Sequence, residues 1–153
     1  AGFDMVVDAI DNVRAKVAMA AVCRERRLAL VMAGGAGGKL DPGRIRVDDL
    51  SRTEQDPLLA KVRARLRKEH GFPRDPKRKF GIEAVYSTEP LRYPVPAACD
   101  VGEAPITGGA ATRGPQGLAC AGYGSSVAVT ASVGLFAAAR AIEHLLRARG
   151  GQS

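Results

Sequence analysis

Two short apolar runs separated by one helical stretch constrain this chain more than any other feature. Phe3 to Ile10 (FDMVVDAI) is β-branched and almost continuously apolar, the pattern of a strand covered on both faces. Leu28 to Ala33 (LALVMA) repeats that pattern. Between them Asp11-Asn12 supplies an N-cap, and Val13, Val17, Ala20 and Ala21 share one face of a helix predicted over 13–26. Strand, helix and strand within about 30 residues make a βαβ unit with a right-handed crossover. The expected fold class is therefore α/β.

The remainder extends this plan. Gly34-Gly35-Ala36-Gly37-Gly38 places four glycines in five positions, and Leu40-Asp41-Pro42-Gly43 is a turn. Arg44 to Asp49 alternates like a strand with one solvated face, so 34–49 reads as a hairpin-style return. Asp56 caps and Pro57 opens a second helix, with Leu58, Leu59, Val62 and Leu66 at helical spacing and an end near Gly71-Phe72-Pro73. A basic loop over 74–79 precedes a strand over 80–87. Residues 89–124 are rich in Pro, Gly and Ala without a period, and are expected to form a long flexible crossover loop. A last helix is predicted over 125–149. Its uncharged part, 125–139, is shorter than the roughly 20 residues of a bilayer span. A buried or interface helix is expected there, and no membrane.

Charge and cysteine usage narrow the function. The net charge of +7 is concentrated in residues 61–79, which hold nine Lys/Arg and two Asp/Glu; the other residues balance at fourteen of each sign. That concentration points to an acidic partner, with nucleic acid first. Arg63, Arg65, Arg67, Lys68, Lys77, Arg78 and Lys79 are the candidate phosphate contacts, although a basic helix face can be merely solvated. Cys23, Cys99 and Cys120 form no CxxC pair, which argues against a zinc ribbon or a disulfide framework and for a reducing, cytoplasmic setting. His70 and His144 share no metal-ligand spacing.

Two loops can carry chemistry. Asp11 stands where a parallel strand passes into a helix, the edge at which α/β sheets gather ligands. A carboxylate there either holds Mg²⁺ over nucleotide phosphates or simply caps the helix. The GGAGG loop is no P-loop, because neither Ser nor Thr follows Lys39. It offers N–H groups to an anion, carbonyls to a cation, or only a tight turn. Cys120, a few residues before the last helix and near Arg113, is either a reactive or a structural thiol.

The stretches VVDAIDNVRAK, LVMAGGAGGKLDP, DLSRTEQDPLLAKVRARLRK, VYSTEP and CAGYGSSVAVTASVG together cover nearly the whole chain. In them the sequence resembles the tRNA threonylcarbamoyladenosine dehydratase family, a branch of the ubiquitin-activating-enzyme-like (HesA-MoeB-ThiF) superfamily. DAIDN is shared across that superfamily, whereas GGAGGKLDP followed by QDPLLAKVR is specific to the dehydratase branch. The resemblance implies a Rossmann-like adenylating fold, of which 1–153 is the C-terminal portion of a single ThiF-type domain. The start at Ala1-Gly2-Phe3, without an initiator Met, agrees with a clipped chain. The family's glycine-rich nucleotide loop, acidic ribose-binding position and phosphate-binding arginine match nothing in these residues, so the fragment alone is expected to be inactive.

The implied activity is ATP-dependent dehydration of threonylcarbamoyladenosine next to the anticodon of tRNA. ATP would activate the side-chain carboxylate as an acyl-adenylate, and the carbamoyl group would close a ring on it. Asp11 corresponds to the residue that faces Mg²⁺-ATP, Asn12 lies beside it, and Lys16 is a candidate for the same pocket. Gly35, Ala36 and Gly37 would offer carbonyls to Na⁺ or K⁺, and Cys120 matches a cysteine before the last helix. A homodimer and a cysteine-desulfurase or sulfur-acceptor system are implied partners. Two alternatives stand beside this: an adenylyltransferase for a ubiquitin-like sulfur carrier, and a non-catalytic RNA-binding or structural module.

Overall fold

The computed structural model describes residues 2–75, 77–91 and 124–150. The elements are β1 (Met5–Asp8), α1 (Val13–Arg26), β2 (Ala29–Ala33), β3 (Ile45–Asp49), α2 (Pro57–Glu69), β4 (Glu83–Ser87) and α3 (Val127–Gly150), with 3₁₀ turns at Pro42–Arg44 and Leu50–Arg52. The helix starts follow from local chemistry. Asn12 accepts a hydrogen bond from the Ala15 N–H and caps α1; Asp56 accepts from the Leu59 N–H and caps α2, whose first residue is Pro57. Arg27 closes α1 in the left-handed region at φ 54°.

The four strands lie in the order β1-β2-β4-β3. β1 pairs parallel with β2 from Met5↔Ala29 to Asp8↔Met32, and β2 pairs parallel with β4 from Val31↔Glu83 to Ala33↔Val85. β3 pairs antiparallel with β4, with Val47 opposite Val85. The hairpin-style return expected over 34–49 is thus corrected: β3 bypasses β2, and β4 enters between them after α2. Burial explains the choice. Ala84, Val85, Tyr86 and Ser87 are all buried, as a central strand requires, whereas Arg46 is exposed and suits an edge.

Alternation along the strands splits the core in two. Leu30, Met32, Ala84 and Tyr86 face α1 and α2, where Val17, Ala20, Leu59, Val62 and Leu66 meet them; Cys23 is buried in this cluster. Val31, Ala33 and Val85 face α3, against Val129, Val133 and Ala137. The layers are therefore helix, sheet, helix. α3 buries only one stripe. Val127 is 78% exposed and Leu135 71%, with Ile142 and Leu146 also in solvent. Among the described residues this one helix, over Val127–Ala148, is long and apolar enough to cross a membrane. That differs from the shorter span read from sequence, because the apolar helix continues past Arg140 and Glu143. Arg140 pairs with Glu83 at the start of β4 and with Glu143 one turn on, which ties the helix to the sheet.

Asp49 closes the far end of the sheet. Its carboxylate accepts from the N–H groups of Ser51, Phe80 and Gly81 at 2.8–2.9 Å and so joins the end of β3 to the approach to β4. Burial pushes this carboxyl up, but the hydrogen bonds outweigh it and hold it below its ordinary value of 3.8. A carboxyl lowered in the folded state stabilises above its unfolded value and loses that contribution as pH falls through the folded one. Unfolding midpoints in urea between about pH 2 and 5 are expected to fall with acid, and Asp49→Asn is expected to flatten that fall. An equal acid slope in the variant would place the responsible group elsewhere.

Candidate functional site

The carboxyl ends of β1 and β2 open onto a cavity of about 1000 Å³. Val7, Ile10 and Asp11 form one wall and Ala33 to Gly37 the floor; Val133, Ala137 and Ala141 of α3 form the opposite wall. Lys39, Asp56 and Leu58 close the end towards α2. A mostly apolar cleft with a few polar groups, at this edge of a parallel sheet, is where α/β folds place ligands.

Asp11 and Asn12 take different parts. Asn12 is the helix cap, so the Asp11 carboxylate is not used for capping and stands exposed on the cavity rim. An anionic group cannot meet phosphates directly, but a divalent cation between them reconciles both. Mg²⁺ is held by one or two carboxylates together with substrate phosphates, and Asp11 fits that donor set.

Lys16 lies elsewhere than the sequence suggests. It is not in the cavity wall but fully buried, with Nζ 3.1 Å from Asp8 Oδ2 and donating to the Ala33 carbonyl at 2.7 Å. Burial lowers this ammonium from its ordinary value, and Asp8 partly restores it. A signal was present: Val13, Lys16, Val17 and Ala20 follow the i, i+3, i+4, i+7 spacing of an apolar stripe, which puts the lysine on the core face.

The glycine loop is braced by groups that sequence reasoning missed. Asp56 does more than cap α2: its Oδ2 accepts from the Gly35 N–H at 2.9 Å. A Cβ on Gly34 would fall 2.2 Å from that same oxygen and 2.9 Å from Tyr86 Cβ, so only glycine fits there. Lys39 is 1% exposed; its Nζ donates to the Ser87 carbonyl at 2.7 Å and the Gln55 carbonyl at 3.3 Å, and lies 4.0 Å from Asp56 Oδ2. Burial lowers this ammonium too, against the pull of Asp56 and Glu89. Two buried ammonium groups therefore sit on the terminal carbonyls of β2 and β4 beneath the cavity. Each is balanced by a buried carboxylate, Asp8 beside Lys16 and Asp56 beside Lys39, so the pairs fix the strand ends without giving the cavity a net charge.

The loop expected to offer the Gly35, Ala36 and Gly37 carbonyls to Na⁺ or K⁺ is partly engaged within the chain. The Ala36 carbonyl accepts from the Lys39 N–H, the Gly35 N–H is turned to Asp56, and that carboxylate already has an ammonium beside it.

The basic segment divides by its contacts. Arg63 is half-buried and donates to Thr53 Oγ1; burial and Arg67 lower it from its ordinary value. Arg65 holds Glu69 through two bonds of 2.8 and 2.9 Å. Arg67 donates to the Pro73 carbonyl and lies 5.2 Å from the Phe80 ring centroid. Lys68, Lys77, Arg78 and Lys79 are exposed and, among the described residues, pair with no carboxylate. His144 meets Glu83 at 2.7 Å, and His70 is exposed. Among the described residues no cluster of His, Cys, Asp and Glu could hold a metal ion unaided. Cys99, Cys120 and most of the expected crossover over 89–124 lie outside the described residues.

No family model matches the chain. Curated relatives do. The tRNA threonylcarbamoyladenosine dehydratase of Haemophilus influenzae is 44% identical over 146 residues, 95% of this chain and 52% of that protein. That of Escherichia coli is 42% identical, over 95% of this chain and 53% of that protein. The chain thus spans about half the length of the curated relatives it matches. Among solved structures, the E. coli enzyme in complex with ATP superposes with a TM-score of 0.78 at 37% identity, covering 100% of this chain and 52% of that one. The same enzyme in complex with AMP gives 0.73 at 38% identity.

Proposed function

We propose that this chain, a relative of the tRNA threonylcarbamoyladenosine dehydratases in sequence and in fold, supplies part of the site for ATP-dependent cyclisation of threonylcarbamoyladenosine in tRNA. The observation that carries this reading is a cavity at the carboxyl edge of the sheet with an exposed carboxylate on its rim and two buried lysine–carboxylate pairs beneath it, in a chain related throughout to that family.

The chemistry follows from the groups present. A carboxylate is a poor electrophile, and transfer to AMP gives it a good leaving group. Attack of the carboxylate on the α-phosphorus of ATP releases pyrophosphate, and the carbamoyl group of the same side chain then closes the ring and displaces AMP, with net loss of water from the nucleoside. Mg²⁺, when bound, would neutralise phosphate charge. In this chain Asp11 would hold it, Asn12 would fix the start of α1, and the Lys16–Asp8 and Lys39–Asp56 pairs would hold the ends of β2 and β4 in place beneath it. A monovalent cation on the Gly35, Ala36 and Gly37 carbonyls belongs to the same reading, apart from the Ser87 and Gln55 carbonyls that Lys39 already meets. The exposed apolar residues of α3, Leu135, Ile142 and Leu146, support a homodimer or another covering surface. A cytoplasmic location and a sulfur-acceptor partner belong to the same reading.

Mass spectrometry of tRNA nucleosides from a strain lacking the gene tests the proposal. Loss of the cyclic nucleoside and accumulation of the form heavier by one water is the expected result. An unchanged nucleoside would reject it and favour an adenylyltransferase for a sulfur-carrier protein.

The tRNA contact is assigned to the unpaired cations. Replacing Lys77 and Lys79 by Ser in the complete protein is expected to reduce the slope of log K against log salt by about 1–2. Arg65→Ser is expected to change it less, since Glu69 already neutralises that guanidinium. Equal slopes for all chains in a filter-binding titration would remove tRNA from this segment.

A further inference from the structure

α1 and α2 both start beside the cavity and both finish at the opposite edge of the sheet, where β2 and β4 begin. At that far end the buried rings of Phe72 and Phe80 lie 5.0 Å apart, and each backs a guanidinium. Arg24 of α1 lies 4.3 Å from the Phe72 centroid and donates to the His70 carbonyl at 3.3 Å. Arg67 of α2 lies 5.2 Å from the Phe80 centroid and donates to the Pro73 carbonyl at 3.2 Å. Ring and carbonyl hold each guanidinium in place, and each spends one of its five N–H donors on the fold. Neither meets a carboxylate among the described residues, and Glu69 in the last turn of α2 is taken by Arg65. Arg26 and Arg27 at the end of α1 and Lys68 beside Arg67 are exposed and extend the same charge. Cations in the last turn of a helix complement its dipole, but that role requires neither an aromatic backing nor two helices that end together.

A guanidinium fork matches the paired oxygens of a phosphate diester. Among the described residues of 23–27 and 57–82 no large apolar side chain is exposed, so the surface has no apolar centre for a protein interface and no anchor for a bilayer. We propose that Arg24 and Arg67, held on the Phe72 and Phe80 rings, are a phosphate-binding pair for an RNA backbone, flanked by Arg26, Arg27 and Lys68. The inference rests on the reading of tRNA as substrate and deepens it. Leu58 lines the cavity and Arg67 lies about 14 Å further along the same helix. The pair therefore meets RNA beyond the reacting nucleotide, and acts on binding, not on the chemical step.

The test measures tRNA binding over a salt series and steady-state cyclisation, both with the complete protein. Arg24→Gln with Arg67→Gln is expected to lower the slope of log K against log salt by about 1–2. The same variant is expected to raise KM for tRNA by at least about 10-fold with kcat within about 2-fold. Arg24→Lys with Arg67→Lys keeps both charges and loses both forks, and is expected to keep the slope yet raise KM by about 3-fold. Arg26→Gln with Lys68→Gln removes two side chains that make no hydrogen bond or ion pair among the described residues. That pair is expected to lower the slope by about 1 at an unchanged melting temperature, and it decides the matter if the first variant does not fold. Slopes and KM unchanged in both glutamine pairs overturn the proposal. So does a lysine pair that matches the unmodified protein, or a loss confined to kcat. An equal fall in slope for Arg147→Gln, on α3 across the sheet, also overturns it, since net charge and not this surface would then be at work. If a strain lacking the gene keeps its cyclic nucleoside, the substrate reading fails and this inference with it. If that nucleoside is lost while the glutamine pairs bind tRNA as before, this inference fails alone.

Discussion

Lys16→Met is expected to destabilise the protein by about 3–5 kcal/mol. Methionine matches the length and apolar stem of lysine, so the loss is not one of packing. It comes from Asp8, whose side chain is fully buried, whose Oδ2 faces the ammonium at 3.1 Å, and whose Oδ1 accepts from the Ile10 N–H. Without Lys16 that carboxylate keeps its backbone bond and loses its countercharge in a site closed to water. The Ala33 carbonyl loses a donor at the same time, at the point where β2 passes into the glycine loop. The double variant Asp8→Asn with Lys16→Met is therefore expected to recover a large part of the loss. Asparagine still accepts from Ile10 but carries no charge. Urea unfolding of the four proteins completes the cycle. Strict additivity of the two single changes would show that the pair is not coupled.

Lys16 also shows what could be read from the residues alone. The starts of α1 and α2 were legible because Asn12 and Asp56 act on N–H groups three residues away. The strands were legible because their apolar runs are uninterrupted. The position of β4 was not, since a strand's neighbours depend on contacts far apart in sequence. Here they required α2 to carry the chain back over the sheet before β4 could enter. The site divided the same way. The place of Asp11 on the cavity rim could be read from its strand-to-helix junction. The second role of Asp56 could not, because a capping carboxylate looks the same whether or not its other oxygen reaches a loop 21 residues away. Lys39 gave no periodic signal, as it lies in a loop, and its burial follows from three oxygens brought together only by the fold.

Asp11→Asn is expected to lower adenylate formation in the complete protein by at least about 10³-fold while leaving its melting temperature within about 1 °C. Both halves of that expectation come from the division of labour at the start of α1. Asn12, not Asp11, accepts from the Ala15 N–H, and no shift in helix stability should follow a change in its exposed neighbour. Asn12→Ala should do the reverse, costing about 1 kcal/mol of stability through the lost cap. The catalytic loss follows from charge. An amide keeps the shape of the carboxylate but cannot hold a divalent cation against phosphates, so the developing negative charge on the leaving pyrophosphate goes unscreened. ATP–pyrophosphate exchange in the presence of substrate tRNA measures the step directly and separates it from ring closure. A rate near that of the unmodified protein would remove Asp11 from the nucleotide site. Exchange lost together with stability would mean instead that Asp11 shapes the end of β1, and the role of metal ligand would pass to a residue outside the described part of the chain.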